Sequence, residues 1–182
     1  GAQAQHLLSG ARPQSGSAPA ATPAFDRPGI AFSTGTLPAG SFALEQGLPD
    51  FERNSNGGVH TTLYSIDSTL RMGVTNAVEV QAATSFFNQI QTRESGNSDT
   101  TEGQGDASFA VKVALPSARK DFSWAALGAV TFANGANQFT NGKTAYDLGT
   151  SLAFDLSQDV GAALYLNVNR LDGSTSFVLS PS

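Results

Sequence analysis

Gly105-Asp106-Ala107-Ser108-Phe109-Ala110-Val111-Lys112-Val113-Ala114-Leu115 changes character at every step. In an extended chain successive side chains point to opposite faces. Ala107, Phe109, Val111, Val113 and Leu115 therefore share one face, and Asp106, Ser108, Ala110, Lys112 and Ala114 the other. The stretch reads as a strand with one apolar face and one small, polar face. A tilted strand needs about 9–11 residues to cross a bilayer, and this one has that length.

The same period runs outward in both directions. Upstream, Ser41–Leu48 sets Phe42, Leu44 and Leu48 against Ala43, Glu45 and Gly47. Thr61–Met72 sets Tyr64, Ile66, Leu70 and Met72 against Ser65, Asp67, Thr69 and Arg71. Ala77–Phe87 sets Val78, Val80, Ala82 and Phe86 against Glu79, Gln81, Ala83 and Ser85. Downstream, Phe122–Phe132, Lys143–Leu156 and Val160–Asn169 continue the pattern, and an eighth strand has its start near Ser176–Leu179. Pro49–Gly58, Asn88–Gly103 and Ala133–Gly142 read as long polar loops, alternating with tight turns at Gly73–Asn76, Pro116–Asp121 and Ser157–Asp159. Long connections at one end and short ones at the other are the habit of transmembrane barrels. Phe42, Tyr64, Phe86, Phe122, Trp124, Phe132 and Tyr146 are expected near strand ends, as interfacial girdles.

Composition agrees. Of 182 residues 14% are charged and 19 are glycine, against about a quarter charged in ordinary soluble domains. Mean hydropathy is -0.14, and no apolar run reaches the about 18 residues of a spanning helix. The net charge of -5 argues against a nucleic-acid partner, and zero cysteines exclude disulfide or thiol chemistry. Residues 1–28 are rich in Ala, Pro, Ser and Gln without periodicity and read as a flexible tail. The start lacks an apolar segment, so an exported chain of this kind is expected to have lost its signal peptide.

The expected fold class is all-β: an antiparallel transmembrane β-barrel built as a meander, occupying residues 29–182. Seven to eight strands are visible. Single-chain bacterial barrels have even strand numbers and closed edges. The text also ends at Pro181-Ser182 without a terminal aromatic residue. The barrel is therefore expected to be incomplete at its C-terminus. A soluble β-sandwich that binds a partner shares the same alternation and stays open as an alternative.

Four pieces in order resemble the outer-membrane proteins grouped with MetA-type phenol-degradation transporters. They are Asp26-Arg27-Pro28-Gly29, then Leu37-Pro38-Ala39-Gly40-Ser41-Phe42-Ala43-Leu44-Glu45. Thr69-Leu70-Arg71-Met72-Gly73-Val74-Thr75-Asn76-Ala77-Val78-Glu79-Val80 and Gly103-Gln104-Gly105-Asp106-Ala107-Ser108-Phe109-Ala110-Val111-Lys112 follow. The resemblance implies a barrel of about a dozen strands in the outer membrane, passing hydrophobic or aromatic compounds inward. The expected surroundings are outer-membrane lipid and small hydrophobic solutes. A barrel with a structural or partner-binding role and no transport is the other reading.

Little points to catalysis, and no enzyme activity is expected. His6 lies in the tail, and His60 has many Ser and Thr neighbours but no spacing that selects one. Asp99, Glu102 and Asp106 offer oxygen ligands without an EF-hand spacing and read as a solvated acidic loop, so no metal or other cofactor is expected. Gly103-Gln104-Gly105-Asp106 precedes a strand and not a helix, so it is no phosphate loop. The residues expected to face a barrel lumen are Glu45, Asp67, Arg71, Glu79, Asp106, Lys112 and Asp147. A hairpin centred on residue 75 would set Arg71 opposite Glu79, with Lys112 close by: an ion-pair ladder that either braces the wall or sets pore polarity.

Overall fold

The computed structural model describes residues 32–157 and 160–181. The expected tail, with His6 and the Asp26–Gly29 piece, lies outside the described residues, as do Gln158 and Asp159 of the third tight turn. The strands are β1 (Phe42–Gln46), β2 (Asp50–Asn56), β3 (Val59–Gly73), β4 (Val78–Glu94) and β5 (Asn97–Gly103). They continue as β6 (Ala107–Leu115), β7 (Phe122–Phe132), β8 (Ala145–Asp155), β9 (Gly161–Leu171) and β10 (Ser174–Pro181). All pairings are antiparallel, in the order β1-β3-β4-β6-β7-β8-β9-β10, with β2 also on β3 and β5 also on β4. The sheet is an open meander whose outermost strands, β1 and β10, do not pair.

Two expected loops are strands instead. β1 and β2 are successive pieces of one strand along β3, interrupted at Gly47–Pro49, and β5 and β6 are two pieces of one strand along β4. Asp50–Asn56, Phe51 apart, and Asn97–Gly103 are polar on both faces, so they carry no alternation to read. Their hairpins close through Gly57-Gly58 and Ser95-Gly96, and β9–β10 closes through Asp172-Gly173; each pair has both φ angles positive. That is the signature of the two-residue turn whose twist matches a twisted hairpin. Of the expected long connections only the segment between β7 and β8 is a loop.

Register defines the two faces. Phe42, Met72, Val80, Val111, Gly128, Leu148, Val168 and Phe177 form one row across the path. The row nearer the loop holds Leu44, Leu70, Ala82, Phe109, Val130 and Tyr146. Many of these apolar side chains are exposed: Phe42 at 67%, Leu148 at 62% and Phe177 at 76%. In a sandwich this face would be buried under a second sheet, and none lies over it among the described residues. Trp124 and Phe122 lie at the short-turn ends of the rows, and Phe132 and Tyr146 toward the other end. Phe42 departs from the girdle expectation and sits in the middle row, opposite Met72.

Between Ile66 and Asp67 the β3–β4 register slips, leaving Phe86 as the extra residue of a bulge. From there β4 continues with Phe87, in place of Phe86, in phase with Ile66.

Residues 32–40 form no strand. They lie as a strap against the polar face, crossing it near the short turns. The strap supplies Phe32 and Leu37, which are, apart from Tyr165, the largest buried apolar residues among the described residues. Gly73 permits the crossing, because a Cβ there would sit 2.1 Å from the Pro38 carbonyl oxygen and 2.5 Å from that of Leu37.

Candidate functional site

The polar face holds a row in which Gly73, Glu79, Lys112, Leu127, Gly149 and Asn167 stand side by side. Ala43, Arg71, Gln81, Ala110, Ala129, Asp147 and Asn169 form the next row. Arg71 is thus opposite Gln81, and Gly73 opposite Glu79: the β3–β4 hairpin is centred on residue 76, one position beyond the expected 75. The ion pair forms anyway, along the diagonal, which long side chains span on one face of an antiparallel sheet.

Arg71 Nε donates to Glu79 Oε1 at 2.6 Å and Nη2 to Oε2 at 2.9 Å, the two-pronged geometry a guanidinium makes with a carboxylate. Arg71 Nη1 also donates to Glu45 Oε1. Lys112 stands directly opposite Glu79, its Nζ 3.8 Å from Oε1. Gln81 Nε2 adds a bond to Glu79 Oε1 at 2.8 Å. Arg71, Glu79 and Lys112 are 0–1% exposed. Glu45 completes the set as a fourth member, so two anions alternate with two cations. Such a buried network is secure only when its members satisfy one another, since removing one strands the next.

The strap closes over this network. Leu37 N donates to Glu79 Oε2 at 2.8 Å, and Lys112 Nζ to Ser33 Oγ at 3.3 Å. Ser151 Oγ donates to the Phe32 carbonyl at 2.6 Å. At the short-turn edge Thr36 Oγ1 donates to the Asn76 carbonyl at 2.9 Å, and the Thr34 and Ser123 hydroxyls meet at 2.7 Å. The Phe32 ring packs edge-on against Tyr165, 5.7 Å between centroids at 85°. Sequence reasoning missed the strap. Its trace is Tyr165, a large aromatic on a mostly small and polar face, close to Gly149.

The remaining expected residues separate from the network. Asp147 accepts a hydrogen bond from Asn169 Nδ2, directly opposite on the next strand, at 2.7 Å. The backbone of Asp67 lies at the bulge, where its carbonyl accepts Gly47 N at 2.8 Å and Gln46 Nε2 at 3.0 Å. Asp106 pins the one long loop: Oδ1 accepts Gly135 N and Oδ2 accepts Asn141 N, each at 2.8 Å. Burial alone would raise its carboxyl, but hydrogen bonds from Asn141, Thr140, Gly135 and Asn134 together hold it below the usual carboxylate range.

Glu102 takes a bond from Gln89 Nε2 at 2.6 Å and does not converge with Asp99 and Asp106. Among the described residues no cluster of three or more His, Cys, Asp or Glu side chains could hold a metal ion. His60 Nδ1 lies 2.7 Å from Ser55 Oγ, its cross-strand neighbour in the exposed β2–β3 hairpin. Beyond the bulge a groove of about 380 Å³ opens between Glu52, Asn54, Thr61, Leu63 and Ile90.

A family model described as "Putative MetA-pathway of phenol degradation" matches residues 25–176. No curated protein and no solved structure matches the chain.

Proposed function

Because the chain belongs to the MetA-pathway phenol-degradation family, we propose that it forms the wall of an outer-membrane β-barrel through which small hydrophobic or aromatic molecules pass passively. One observation carries the reading: continuous apolar rows on one face, exposed, set against a face of charges, amides and small residues on the same strands. β6, β7, β8 and β9 have 9–11 residues, the length of a tilted strand in a bilayer. The apolar rows meet lipid, and the polar face lines the passage. The groove by Leu63 and Ile90 is its outer mouth, and the strap narrows it at the short-turn end.

The reading is of a channel and not a catalyst. The Ser55–His60 pair sits at an exposed hairpin tip, and no third group orients the imidazole among the described residues. A second reading, a barrel that docks a partner, draws on the β2–β3 and β4–β5 hairpins, whose polar ends run past the apolar rows.

Purified protein in liposomes tests the proposal through uptake of radiolabelled toluene and phenol against glucose. Faster entry of the aromatics than in empty liposomes is expected; equal rates overturn it. In whole cells, Asn137→Cys in the β7–β8 loop should react with a membrane-impermeant maleimide and Ala118→Cys in the β6–β7 turn should not. Labelling of Ala118→Cys alone would invert the orientation.

A further inference from the structure

The polar face is small or charged almost everywhere, yet under the strap it holds an apolar island. Ala125 and Leu127 of β7 and Tyr165 of β9 surround the Phe32 ring. Gly149 of β8 forms its floor: a Cβ there would lie 3.0 Å from Phe32 Cε1 and 3.1 Å from the Tyr165 hydroxyl oxygen. A Cβ at 149 would press on both rings, and a branched side chain there would take up the space the Phe32 ring occupies. The Tyr165 ring stands perpendicular to the Phe32 ring, at 85°, and Lys112 Nζ lies 5.9 Å from the Phe32 centroid. A glycine floor, a perpendicular aromatic partner and a nearby cation together favour a flat aromatic ring over a saturated one.

The occupant does not belong to the sheet. It comes from a segment without strand structure, held to the sheet by scattered side-chain hydrogen bonds, with Ser151 to the Phe32 carbonyl the one at the ring itself. We infer that this seat is a binding site for a monocyclic aromatic solute, and that the strap's own phenyl group holds it as an intramolecular competitor. A solute ring enters when the strap lifts, and the Ser151 hydroxyl, released from the Phe32 carbonyl, becomes a partner for a phenolic oxygen. The fraction of time the strap is lifted sets the apparent affinity. The inference deepens the transport reading by naming the solute class and its resting place.

The test uses the full chain refolded in detergent micelles, titrated with 4-fluorophenol and with fluorocyclohexane by fluorine NMR. Phe32→Ala removes the competitor and should bind 4-fluorophenol at one saturable site about tenfold tighter than the native chain. Adding Gly149→Val should abolish that site. Fluorocyclohexane should bind Phe32→Ala about fivefold more weakly than 4-fluorophenol, because a saturated ring has no π face or aromatic edge to offer Tyr165 and Lys112. Binding no tighter than native, binding unchanged by Gly149→Val, or equal affinity for the saturated ring each overturns the inference. If Phe32→Ala does not refold, Gly149→Val alone decides. It must expel Phe32, accelerating protease cleavage within residues 32–40, and must remove saturable 4-fluorophenol binding; either failing overturns the inference. Binding in micelles requires no passage, so a seat that binds in a protein that conducts nothing separates this inference from the transport reading.

Discussion

Ser151 and Phe32, 119 positions apart in sequence, are joined by a buried 2.6 Å hydrogen bond from the serine hydroxyl to the phenylalanine carbonyl. The bond fixes the strap to β8 and gives a buried carbonyl its partner. Ser151→Ala leaves that carbonyl without this donor, at about 1–3 kcal/mol. Ser123→Ala, which breaks an exposed contact with Thr34, should cost less. Urea unfolding of the refolded protein measures both; equal losses would mean that the strap is not held at Ser151.

The Arg71–Glu79 pair is buried, so removing either charge leaves the other with its outer partner alone, Glu45 for Arg71 and Lys112 for Glu79. Glu79→Gln should cost about 3–5 kcal/mol. Glu94→Gln, at the exposed end of the β4–β5 hairpin, should change little. The Arg71→Gln, Glu79→Gln double substitution should lose less than the sum of its singles, since both charges leave together. Strict additivity in a denaturation cycle would show that the two do not interact.

Asp106 gives the β7–β8 loop a pH dependence. Its carboxyl titrates lower with the loop docked than with it free. The anionic form therefore stabilises docking at and above the ordinary carboxylate range, and that stability is lost as pH falls through the lowered value. Limited proteolysis within residues 133–144 should accelerate on acidification below about pH 4. Asp106→Asn should cleave quickly at neutral pH already and lose most of that dependence. A variant that keeps the native profile would assign the effect elsewhere.

The two faces should tolerate charge very differently. Val111→Arg puts a guanidinium in the middle apolar row and should cost about 2–4 kcal/mol in a bilayer folding assay. Ser176→Arg, exposed on the polar-face row of β10 beside Asn169, should cost far less. Ala110 does not serve as the comparison, although it shares the polar face, because it is 8% exposed. Equal costs for Val111→Arg and Ser176→Arg would remove the lipid assignment.

What the sequence made legible follows from where water and lipid differ. β6 and β7 separate an apolar from a polar side, so each announces itself by period two. β2, Phe51 apart, and β5 are polar on both faces and carry no sustained contrast. Their turn dipeptides, Gly57-Gly58 and Ser95-Gly96, were nonetheless in plain view as hairpin signals. The charged network was legible as residue types on one face, since the alternation of β3, β4 and β6 puts Arg71, Glu79 and Lys112 each on the polar side of its own strand. Its geometry was not, because shifting the hairpin centre by one residue moves each partner by two. The strap was hidden for a different reason: Phe32 and Leu37 sit in an aperiodic run, and their sites are assembled from strands far downstream.

That distance has a kinetic consequence. The strap's partners lie 42 residues on at Glu79, 89 at Ser123 and 119 at Ser151. Closing such long loops costs chain entropy that is recovered in full only once β8 is in place. The segment that leaves the ribosome before any described strand is therefore among the last to find its position. Until it docks, Glu79 and Lys112 lack its hydrogen bonds, and the nascent sheet is held together by its hairpins alone.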